Sequence, residues 1–165
     1  MRRSHWLLGA LFLAVSFCSP ATCSASENCP WLNAATAAGA LKGSVTFTVA
    51  RSGEDKQDAT CEFSHQEGSV LTSLRIEVDT MKEPSREFAS YRAKCERDAT
   101  PLRAIGNEAL VCSLRRKNQF SEQVVSRVRE HAFIVTMSSN MGSPEGGELR
   151  EKTQKIAEQV AGFLF

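Results

Sequence analysis

Apolar and polar side chains alternate with a two-residue period along much of this chain. Val45, Phe47 and Val49 alternate with threonines, Cys61 and Phe63 are in phase with one another, and Leu74, Ile76 and Val78 alternate with Arg75, Glu77 and Asp79. Successive side chains of a strand point to opposite sides, so this pattern predicts three strands with one packed and one wet face. Arg51 to Asp58, with Gly53 at its tip, forms a charged loop between the first two, and Gly68 turns the chain between the second and third. Ala109 to Leu114, Gln123 to Arg129 and Ala132 to Met137 predict three more strands, with Arg115-Arg116-Lys117-Asn118 as a hairpin tip.

Three stretches have the helical period instead. Asn33 is a good cap before the small-residue run Ala34 to Leu41, which stops at Gly43. Trp31 and Leu32 stand at its entry as an apolar plug. Pro84 suits a first helical turn, and Phe88, Tyr91, Arg92 and Cys95 recur at helical spacing, which predicts a helix over 84–96 with Cys95 on its inner side. Thr100-Pro101 begins the exit, and Gly106-Asn107 is a turn. After a glycine-rich break, Gly142 to Gly147, the residues Leu149, Thr153, Ile156, Val160 and Phe163 form one stripe of a last helix.

The predicted order is α-β-β-β-α-β-β-β-α. Runs of neighbouring strands favour an α+β fold, an antiparallel sheet of about six strands with helices packed on one face. The order suggests two helix-plus-meander units and a closing helix, although no residue-level repeat accompanies it.

The N-terminus changes the picture of where the chain resides. Arg2 and Arg3 precede an apolar run from Trp6 to Phe17, and small residues follow up to Ala25. These are the three zones of a cleaved signal peptide, and the apolar run is too short to span a bilayer. Cleavage fits best after Ala25, with Ala21 as the alternative, and the former gives residues 1–25 as signal and 26–165 as a single domain, about 140 residues, enough for a real core. Phe17 before Cys18 and Thr22 before Cys23 make poor lipid-attachment sites. The expected location is therefore secreted or periplasmic, with no span left after cleavage.

Six cysteines are present, and this cut leaves four: Cys29, Cys61, Cys95 and Cys112. An even number in an oxidising compartment predicts two disulfides. Four cysteines admit three pairings. Cys29 with Cys61 and Cys95 with Cys112 is preferred, because each pair ties a helix or its approach to a nearby strand. No Cys-x-x-Cys occurs, so a redox pair or zinc ribbon lacks its spacing.

Charge adds little: the chain is near neutral, which argues against nucleic acid as a partner. Beyond the leader the histidines are His65 and His131, each in phase with the apolar residues of its strand, and a zinc site would want a third ligand. A Gly-x-Ser-x-Gly elbow and a glycine-rich phosphate loop are both absent. Among the surface acids Glu62, Glu77, Asp79 and Glu108, the last is singled out by its place beside the Gly106 turn. The basic tip Arg115-Arg116-Lys117 could meet an anionic surface, but it also reads as a device against edge pairing. No catalytic, metal or cofactor site is predicted.

Cys-Pro-Trp-Leu before a small-residue helix (Cys29 to Leu41), the Cys-x-Phe strand (Cys61 to Phe63) and Ile105-Gly106-Asn107-Glu108-Ala109 before a strand give the chain a resemblance to a group of secreted bacterial domains of unknown function. Some of that group are lipoproteins, and similar folds occur as extracellular sensor domains of membrane kinases. The resemblance implies an envelope or extracellular α+β domain with disulfides near these positions, and no enzymatic activity. The expectation is a non-enzymatic binding or sensor-like domain that meets an envelope protein or small envelope ligand through its open sheet face or loop rim. The alternatives are a secreted hydrolase using His65 or His131, and an inhibitor of a secreted enzyme presenting the Arg51 to Asp58 loop.

Overall fold

Asn33 ends the approach to the first helix by accepting the Thr36 N–H on its side-chain oxygen at 2.8 Å, and Gly43 closes the other end through its N–H to the Ala38 carbonyl. The computed structural model describes residues 28–51, 58–95, 99–141 and 147–165. Expectations that fall elsewhere, namely the signal segment with Cys18 and Cys23, most of the 51–58 loop and the break before the last helix, lie outside the described residues.

The elements are α1 (Ala34–Leu41), β1 (Thr46–Arg51), β2 (Ala59–Glu67), β3 (Val70–Thr80), α2 (Pro84–Arg92), β4 (Thr100–Leu102), β5 (Glu108–Arg116), β6 (Gln119–Val128), β7 (His131–Ser139) and α3 (Glu148–Leu164). The strands form one sheet in the order β1-β2-β3-β7-β6-β5-β4, antiparallel at every junction. The α+β order read from the sequence is thus present, with β4 as a short seventh strand at the edge.

Register and the two apolar clusters show which side each helix covers. Cys61, Phe63, Leu74, Ile76, Val124, Phe133, Val135 and Met137 share one face, and α1 and α3 pack there through Ala37, Leu41, Ile156, Ala157 and Val160. Strand positions of the other parity, Cys112, Val125, Ala132 and Ile134, pack against Phe88 and Cys95. Expected one-face packing therefore holds for α1 and α3, while α2 lies on the opposite face. The reason is parity: Cys112 pairs with Gln123 and Leu110 with Val125, so a cysteine bonded to Cys112 must approach from their side.

The structure joins Cys29 to Cys61 and Cys95 to Cys112. The first ties the approach to α1 to β2 on the α1/α3 face, and the second ties the exit of α2 to β5 on the other. Trp31 and Leu32 are buried where the plug was expected.

Strands β6 and β7 lie between α3 and α2. That explains their nearly continuous burial, with Val124 and Val125, and then Ala132 through Val135, all inaccessible. Strands β2 and β3 keep the alternation of a half-covered sheet. Because β3 and β7 pair antiparallel, the strand order places the meanders β1–β3 and β5–β7 about an approximate two-fold axis normal to the sheet. Under it α1 corresponds to α3, which packs on β6 and β7 as α1 packs on β2 and β3, so the second helical partner comes from the end of the chain.

Candidate functional site: the uncovered half of the sheet

The α2 helix shields only the β5–β7 part of its face. The β1–β3 part carries Thr46, Thr48, Thr60, Glu62, Ser64, Ser73, Arg75 and Glu77, all placed on one side by the register and all exposed or half-exposed. Thr46 and Ser64 join their hydroxyls at 2.8 Å, and Arg75 donates from Nε to Glu77 Oε1 at 2.9 Å. A shallow depression of about 280 Å³ opens among Thr46, Phe47, Thr48, Glu62 and Ser64. Where this surface meets α2, the Tyr91 hydroxyl donates to Asp79 Oδ2 at 3.1 Å. Partial burial, reinforced by the Asp79 carboxylate, pushes the Tyr91 phenol up to about 12. This surface offers hydroxyl donors and acceptors with one internally paired arginine. Chemically it can hydrogen-bond a partner, and no histidine stands on it to act as a base.

The two histidines lie on the other face and far from each other. His65 pairs with Thr72 and His131 with Thr80, positions about 27 Å apart along β3 at about 3.4 Å per residue. A shared metal site is excluded by that spacing. The His65 ring lies against Gly43, where any Cβ would overlap it, and its Nδ1 bonds the Ser44 carbonyl at 2.8 Å. It therefore packs the link between α1 and β1.

His131 is buried in a small polar cluster at the opposite end of the sheet. Asp58 Oδ1 accepts from both the N–H and the hydroxyl of Thr80 at 2.7 Å. With its one proton so committed, the Thr80 oxygen accepts from His131 Nδ1 at 3.2 Å. His131 Nε2 is 3.5 Å from Glu130 Oε1. The threonine here donates towards a carboxylate, so its hydroxyl is not presented to the imidazole as a nucleophile. The cluster joins the starts of β2 and β7 to the end of β3, and no spacing in the sequence announces it.

Glu108 is a latch. Its Oε1 accepts from Arg127 Nη2 at 2.9 Å, the buried Ser126 hydroxyl bonds the carbonyls of Ile105 and Glu108 at 3.0 Å, and Asn107 exchanges bonds with Arg127 and Arg129 at 2.7 Å. The Ile105 to Ala109 segment thereby closes the end of β6. At the basic tip Arg115 lies over the Phe120 ring, 5.8 Å from its centroid, and Lys117 takes a left-handed turn conformation.

Among the described residues, no group of three or more histidine, cysteine, aspartate or glutamate side chains is placed to hold a metal, and no helix is long and apolar enough to cross a membrane. Comparison with protein-family models, with curated proteins and with solved structures finds no match to this chain.

Proposed function

We propose that the chain is an exported binding domain that docks a protein partner on the hydroxyl-rich β1–β3 face. The observation that carries this reading is the half-covered sheet. The α2 helix is fixed by a disulfide over one half of a face, while the other half presents threonine and serine side chains and a shallow depression. Three strands spaced by about 4.8 Å and about seven residues long give a patch about 14 by 25 Å. An open, flat polar patch suits a protein contact better than a small ligand, which wants a concave apolar pocket. The basic, apolar and small-residue leader and the two disulfides support export to an oxidising compartment. The resemblance to secreted envelope domains points the same way.

Native, non-reducing mass spectrometry of the protein recovered from its own producer tests the reading. It predicts cleavage after Ala25, two disulfides and a retained protein mass. A full-length, reduced and solitary chain would contradict it.

A further inference from the structure

A second concave site lies on the opposite face, where the C-terminal end of α1 meets the first turn of α3 over the start of β3 and the end of β7. The cleft has a volume of about 150 Å³. Leu41, Met137 and Leu149, all buried, give it an apolar floor, and Lys42, Glu148 and Lys152 form its rim. A cavity of about this size accommodates a group as large as benzene.

The rim is unbalanced in charge. Lys42 Nζ and Lys152 Nζ approach the same oxygen, Glu148 Oε1, at 2.8 and 3.2 Å. Lys152 Nζ also donates to the Ala40 carbonyl at 2.8 Å, which holds it at the mouth beside the end of α1. The hydrogen bonds from Lys42 and then Lys152 keep the Glu148 carboxyl below its ordinary range, so it is ionised at neutral pH. Two ammonium groups then face one carboxylate, leaving one net positive charge over an apolar floor. Each ammonium has three protons, and Lys42 commits only one of them to Glu148.

We propose that this cleft binds a small monocarboxylate with an apolar tail of about five carbons, the tail on Leu41, Met137 and Leu149 and the carboxylate on the ammonium protons of Lys42 and Lys152 that are turned away from Glu148. Apolar burial supplies the attraction, and the spare ammonium protons select an anionic head. This site lies on the face away from the β1–β3 surface, so its failure would leave the protein-docking reading standing.

The test is a titration of the isotopically labelled protein by amide NMR with hexanoate, hexylamine and hexanol. Hexanoate should shift Lys42, Thr72, Leu149 and Lys152 saturably, with a Kd of about 1 mM or tighter for a ligand of that size. Hexylamine should bind at least about tenfold more weakly. Lys42→Glu, at an exposed position that should not disturb folding, inverts the rim charge and should reverse that preference. Filling the cleft with Leu149→Phe should abolish binding of all three. No saturable shift with hexanoate up to about 20 mM, equal binding of hexanoate and hexylamine, or an unchanged preference in the Lys42→Glu variant would overturn the proposal.

Discussion

Replacing Gly106 by alanine should be far more damaging than the same change at Gly68, although both glycines have a left-handed backbone, φ +68° and +60°. That conformation alone costs an L-residue about 1–2 kcal/mol. At Gly68 nothing lies within 4 Å of an added Cβ, so this is the whole expected effect. At Gly106 the added carbon would overlap the Arg127 carbonyl oxygen and lie 2.9 Å from both Ser126 Oγ and Val128 Cγ2. The carbonyl cannot yield cheaply, because it accepts the Asn107 N–H at 2.7 Å while the Ser126 hydroxyl beside it is committed to Ile105 and Glu108. Relieving the overlap breaks at least one of these bonds in a buried setting, at about 1–3 kcal/mol. The Gly106→Ala variant should therefore lose about 3–4 kcal/mol and Gly68→Ala about 1 kcal/mol. For a domain of this size that corresponds to Tm decreases of about 10 °C and about 3 °C. Thermal unfolding followed by circular dichroism under oxidising conditions gives both values. Equal losses within about 1 kcal/mol would refute the view that the Ile105 to Ala109 segment is a close-packed latch.

The sole tyrosine, Tyr91, should show half-ionisation near pH 12 in a rapid ultraviolet titration, and Asp79→Asn should lower it only part of the way, because burial still raises it. Because its folded pKa lies above the unfolded value of about 10, its contribution to stability is complete below pH 10 and is lost as pH rises from 10 through 12; an unshifted titration would remove the Tyr91–Asp79 bond from the account. Replacing both cysteines of a pair with serine should cost about 3 kcal/mol for the 17-residue separation of Cys95–Cys112 and slightly more for the 32-residue separation of Cys29–Cys61, by chain entropy; urea unfolding measures each, and losses under about 1 kcal/mol would argue against native cross-links. Thr80→Val leaves Asp58 its backbone N–H bond but removes the hydroxyl from Asp58 and from His131 Nδ1 and should cost about 1–3 kcal/mol, whereas Thr80→Ser should retain most of the stability; equal effects of the two would dismiss the hydroxyl's role.

Helices, strands and their order were legible because local chemistry decides them: Asn33 caps α1, Pro84 opens α2, and alternation marks β2 and β3. Strand β4 has no signal in the sequence because it is three residues long and contains Pro101, a residue admissible only where an edge asks for no ladder donor. The sequence predicts α2 over 84–96 with Cys95 on its inner side, but the helix ends at Arg92 and Cys95 lies in the turn after it, and which face is inward depends on the pairing parity of Cys112, a long-range fact. The buried Glu122 and Gln123 of β6 likewise look solvent-facing in the sequence, and only the helices on both sides explain their burial. For the candidate site, the threonines and serines of β1–β3 were visible as a wet face. That α2 would leave this half bare was not, because no local pattern specifies where a helix stops covering a sheet.

The most direct test of the docking reading compares two charge reversals of equal size. Glu62→Lys changes the uncovered face, and Glu158→Lys changes the exposed side of α3. Each variant and the parent protein would be recovered from the native producer and their co-purifying proteins quantified by mass spectrometry. The account predicts a stoichiometric partner kept by the parent and by Glu158→Lys and lost from Glu62→Lys. The same partner retained equally by all three proteins would contradict it.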